Sequence, residues 1–97
     1  MKTIIFSKDT SWKYDSSDQD CNRYFLKEEF KNLRLSFDCY GYLYLNKVYE
    51  CLRVKWNPNN ENMVFKKDDG PIRLDFYHNE VTNEYIVTIA QQHKKDV

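Results

Sequence analysis

Apolar positions along the chain recur with two different periods, and the changes between them mark out the elements. Residues 2–7 open on a β-prone run, Thr3-Ile4-Ile5-Phe6. Residues 8–19, KDTSWKYDSSDQ, are polar and rich in Ser and Asp, which reads as a loop. The period then becomes helical: Leu26, Phe30 and Leu33 recur at spacings of four and three, with Cys21 and Phe25 widening the stripe. Ser17 followed three residues later by Asp20 fits a capping pair. Asp18 and Asp20 would lie at the positive end of the helix dipole. These signals predict a helix over 18–32.

Strand spacing follows. Leu33, Leu35, Phe37 and Cys39 alternate with polar residues, and Asp38-Cys39-Tyr40-Gly41 has the Asp and Gly that a type I turn prefers. Tyr42–Leu45 is a further β-rich run, and Val48–Trp56 alternates again at Leu52, Val54 and Trp56. Asn57–Asn62 is a loop and Met63–Phe65 a short strand. Lys66–Pro71 is a turn, and Ile72, Leu74 and Phe76 alternate in the next strand. After a loop at His78–Asn83 comes Tyr85–Ile89, the most β-prone stretch, and then a polar tail, 91–97, expected to fray. The pattern predicts an α+β fold: an antiparallel meander of about five to seven strands, with one helix in the N-terminal half packed on one face. Residues 1–97 are expected to form a single domain.

Composition narrows the function. Fifteen basic and fifteen acidic residues cancel, so a dedicated nucleic-acid binder, which usually carries a basic excess, is not expected. No window approaches eighteen apolar residues, so no membrane partner is expected, and the opening apolar run is too short for a signal-peptide core. Cys21, Cys39 and Cys51 are odd in number and lack a CxxC pair, which favours a reducing cytosol and counts against zinc. Asp75 and His78 are the only pair resembling an acid and a base, and three residues apart on a strand they face opposite ways. With no Gly-rich phosphate loop, GxSxG or HExxH, neither enzymatic activity nor a cofactor is expected.

Three groups remain as candidate contact surfaces. The Asp9–Asp20 segment sets Trp12 and Tyr14 among Asp15, Asp18 and Asp20. These are either aromatic anchors with countercharge for a basic partner, or core aromatics beside capping carboxylates. Arg23, Lys27, Lys31 and Arg34 line one helix edge, as a phosphate-contacting ridge or as basic stems bordering the core. Tyr40, Tyr42 and Tyr44 share one strand face, as a stacking platform or as core. In sequence, the nearest basic residue to these tyrosines is Lys47.

In general character (short, charged, rich in Tyr, Asn and Lys) the chain is similar to many bacterial toxin-immunity proteins and phage-encoded inhibitors. The likeness is one of character rather than of any one stretch. It implies a cytoplasmic inhibitor, an immunity protein that occludes the active site of a toxin domain, with Trp12, Tyr14, Asp15, Asp18 and Asp20 as its contact residues. The alternative is a phage or mobile-element protein acting on nucleic-acid machinery, as an anti-nuclease inhibitor or as a direct binder through Arg23, Lys27, Lys31 and Arg34.

Overall fold

A computed structural model describes residues 1–56 and 62–92. Five strands and two α-helices follow in the order β1 (Lys2–Phe6), α1 (Gln19–Tyr40), β2 (Tyr42–Tyr44), α2 (Leu45–Cys51), β3 (Val64–Lys66), a 3-10 turn (Lys67–Asp69), β4 (Ile72–Asn79) and β5 (Glu84–Gln91). The α+β class is as the sequence predicts. The meander gives way to two antiparallel sheets: a three-stranded one in the order β1-β5-β4 and a two-stranded one of β2 and β3. The first and last strands therefore pair with each other, Ile4 opposite Val87 and Phe6 opposite Tyr85.

The second departure is the length of α1. Residues 33–39, expected as a strand, continue the helix for a total of 22 residues. Leu33 and Phe37 satisfy both a period of two and a period of 3.6, so they cannot choose between strand and helix. Leu35 and Cys39 can. Leu35 is 61% exposed and Cys39 is exposed, while Leu26, Phe30, Leu33 and Phe37 are buried in one stripe. Extending a helix already formed adds a hydrogen bond per residue with no new nucleation cost, and no Gly or Pro interrupts before Gly41. Gly41 ends it at φ 80°, a left-handed conformation that disfavours any side chain, and its N–H donates to Phe37 O at 2.9 Å. At the other end the cap is Asp18 rather than Ser17. The Asp18 carboxylate accepts from the Cys21 N–H at 3.1 Å, whereas the Ser17 hydroxyl donates to Asp15 at 2.7 Å.

The third departure is α2, where the alternating 48–56 segment was expected to be a strand. Leu45, Val48 and Leu52 lie at helical spacing and all three are buried. Arg53, at φ 58°, then turns the chain out of the helix, and Val54 pairs with Ser11 in a single bridge. Of the expected Asn57–Asn62 loop only Asn62 is described; its side chain accepts from the Asn46 N–H at 3.0 Å. Of the tail expected to fray, Gln91 belongs to β5 and its side chain donates to Gly70 O at 3.0 Å and to Lys66 O. Residues 93–97 lie outside the described residues.

The core forms where the α1 stripe meets the inward residues of the larger sheet: Ile4 and Phe6 from β1, Leu74 from β4, and Tyr85, Val87 and Ile89 from β5. Leu43, Leu45, Val48, Leu52 and Phe65 extend the same cluster from the β2–α2–β3 side. No helix among the described residues is long and apolar enough to cross a membrane.

The helical reading of 33–39 has a direct check in chemical denaturation. Leu33→Ala should lower stability by about 2–5 kcal/mol and Leu35→Ala by less than about 0.5 kcal/mol. Equal losses at the two positions would restore the strand.

Candidate functional site

The loop after β1 is pinned on both sides of Trp12. Thr10 Oγ1 donates to Ile5 O at 2.7 Å and accepts from the Ser7 N–H at 2.8 Å. The Ser11 hydroxyl, buried, donates to Leu52 O at 2.8 Å. Between these ties and the buried Tyr14, whose hydroxyl donates to Asn83 O, Trp12 points outward, 77% exposed, with the Arg53 guanidinium 5.9 Å from its ring centroid. Around it lies an open hollow of about 470 Å³ whose charged lining mixes signs: Lys8, Asp9, Glu50, Arg53 and Lys55. A mobile loop that docks through an indole loses conformational freedom on binding. Here the backbone is already fixed, so the ring is presented rather than loose.

The other residues of that acidic segment turn inward or toward each other. Tyr14 is only 9% exposed and packs edge-on to Phe6 at 5.5 Å, while its hydroxyl donates to Asn83 O at 2.8 Å. It is part of the core and does not share Trp12's surface. Asp15 receives hydrogen bonds from the Ser17 hydroxyl and N–H, which hold its carboxyl below the usual carboxylate range. Asp18 caps α1 and Asp20 pairs with Arg23. These carboxylates are thus satisfied within the chain.

Behind them Asn22, almost wholly buried, is the knot of the loop. Its carbonyl accepts from the Asp15 N–H at 2.8 Å, and its amide donates to Asp15 O at 2.7 Å and Gln19 Oε1 at 3.1 Å. Gln19 Oε1 also accepts from the Tyr85 hydroxyl at 2.9 Å. Burial pushes the Tyr85 phenol above its ordinary value, against the pull of the nearby Arg23. Because every polar atom here has a partner, the cluster fastens loop, helix and β4–β5 turn together.

The basic ridge divides in the same way. Arg23 is taken by Asp20, and Arg34 donates to Leu74 O at 2.9 Å, with its guanidinium 6.0 Å from the Phe30 ring centroid. Lys27 and Lys31 are exposed. Asp75 and His78 are not brought together: Asp75 pairs with Arg73 at 2.9 Å, and His78 Nε2 lies 2.9 Å from Asn83 Oδ1 with its ring stacked on Tyr85. Among the described residues no three His, Cys, Asp or Glu side chains converge as a metal site would require.

The tyrosines form the second exposed aromatic surface. Leu43 between them is buried, so Tyr42 and Tyr44 project from the outer face of β2, 47% and 46% exposed, and Tyr40 at the end of α1 is 72% exposed. Ring centroids are 6.4 Å apart for Tyr40–Tyr42 and 5.5 Å for Tyr42–Tyr44. A shallow cleft of about 290 Å³ runs along them, bordered by Ser36, Asn46 and Lys47. The β2–β3 register places Lys66 opposite Tyr42 and Val64 opposite Tyr44. Neither Arg53 beside Trp12 nor Lys66 beside Tyr42 could be read from local sequence, because each neighbour arrives through tertiary pairing.

All three cysteines are free thiols; Cys21 and Cys39 are exposed and Cys51 is half-buried. Burial pushes the Cys51 thiol above its ordinary value, so less of it is thiolate at neutral pH. Timed alkylation read by peptide mass spectrometry should modify Cys21 and Cys39 first and Cys51 last. Cys51 leading would contradict the packing of α2.

No protein-family model, no curated protein and no solved structure matches this chain.

Proposed function

We propose that this protein binds another protein and inhibits it by covering its active site, as the immunity proteins of bacterial toxins do. One observation carries the reading: an exposed Trp12 on a loop anchored at Thr10 and Ser11, beside Arg53. Trp and Arg dominate interface hot spots, and a preformed loop loses little freedom on docking. A standard interface needs only ~800 Å² on each side, an area that a domain of 97 residues can supply. The mixed charges around Trp12 suit a partner of mixed charge better than a strongly basic one. Work in a reducing cytoplasm agrees with three thiols left free.

The test is a pull-down and titration with the product of the adjacent reading frame. Trp12→Ala should weaken the complex about thirty-fold, the equivalent of ~2 kcal/mol, and leave the melting temperature unchanged because the ring is exposed. A complex that forms with undiminished affinity in Trp12→Ala, or no complex at all, removes this reading.

A further inference from the structure

The tyrosine face meets the two requirements of a site for unpaired nucleic-acid strands. Such sites combine ring faces on which bases stack with cations that follow the backbone. Three exposed phenol rings follow one another on the end of α1 and on β2, with neighbouring centroids 6.4 Å and 5.5 Å apart and neighbouring planes inclined by 46° and 73°, so that each offers its own face. Lys47 borders the cleft on the α2 side, and Lys66 shares the outer sheet face, opposite Tyr42. Among the described residues no carboxylate lines the cleft. Lys47 has one carboxylate contact among the described residues, Glu50 at 3.9 Å; both side chains are more than half exposed, so a phosphate can replace it.

Chain-wide neutrality argues against a binder that relies on charge alone. It does not argue against a platform whose affinity comes from stacking, with two local cations fixing the backbone. A proline-rich peptide could also use an aromatic groove, but its uncharged rings gain nothing from Lys47 and Lys66 beside it.

We propose that the Tyr40–Tyr42–Tyr44 face, flanked by Lys47 and Lys66, binds single-stranded nucleic acid, with bases stacked on the tyrosines and phosphates held by the lysines. The site shares no lining residue with the Trp12 hollow, so the proposal stands apart from the inhibitor reading.

Fluorescence anisotropy with labelled dT and rU twelve-mers tests it, the two probes separating a DNA ligand from an RNA ligand. Either should bind, with a shallow salt response: two lysine contacts imply a log–log slope of about −1.4, roughly a seven-fold loss between 50 and 200 mM salt. Tyr42→Ala and Tyr44→Ala should each weaken binding about ten-fold, while Tyr42→Phe and Tyr44→Phe, which keep the ring face, should bind as the parent does. Lys47→Glu with Lys66→Glu should weaken binding by about ten-fold or more and remove the salt response. Trp12→Ala, and Lys27→Glu with Lys31→Glu on the α1 ridge, should leave it intact. Failure of both oligonucleotides to bind would overturn the proposal. So would binding unchanged in the Tyr→Ala variants, binding lost with Lys27 and Lys31, or capture of a polyproline peptide in place of the oligonucleotides.

Discussion

Burial of one stripe of α1 is the constraint from which the remaining architecture follows. At about 1.5 Å per residue, 22 residues give a helix of roughly 33 Å, longer than the ~26 Å reach of an eight-residue strand. The buried stripe of Leu26, Phe30, Leu33 and Phe37 shares one core with the three-stranded sheet, which covers part of it. The β2–α2–β3 unit supplies the rest of the cover, with Leu43, Leu45, Val48 and Phe65 in the same buried cluster. Because β2 and β3 turn Leu43 and Phe65 toward the helix, their alternate residues Tyr42, Tyr44, Val64 and Lys66 face outward. The exposed tyrosine face is therefore a geometric consequence of covering a long helix.

The same economy governs the loop after β1. Several of its polar side chains are spent on fixing the backbone: Thr10 to β1, Ser11 to the end of α2, Asp15 to Ser17, and Asp18 to the start of α1, while Asn22 of α1 holds the Asp15 backbone. Tyr14 is drawn into the core and only Trp12 is left outside. Rigid backbone and exposed ring together make a preorganised contact, whereas the acidic residues of this segment act as internal ties.

Where one period alone fitted, the sequence was legible. β1, β4 and β5 follow from their β-rich runs, and the start of α1 from Leu26 and Phe30, though its cap lies one residue later than the Ser17 signal suggested. Where two periods fitted, local pattern misled. Leu33 and Phe37 belong equally to a strand and a helix, and the Leu52-Val54-Trp56 alternation hid the Leu45-Val48-Leu52 stripe of α2. Strand order was beyond reach for another reason: the β1–β5 pairing joins the two ends of the chain, and nothing local encodes it. The candidate sites follow suit. Trp12 was visible as an aromatic stranded in a polar loop, but Arg53 and Lys66 reach their aromatics only through tertiary contacts.

Both functional proposals rest on certain aromatic rings lying outside the fold and others inside it. Photo-CIDNP NMR, which polarises only ring protons that a dissolved dye can touch, reads this partition in one experiment. Trp12, Tyr40, Tyr42 and Tyr44 should give strong signals, and Tyr14 and Tyr85 none. Silence from Trp12 and the three β2-side tyrosines, or strong polarisation of Tyr14 and Tyr85, would contradict the account.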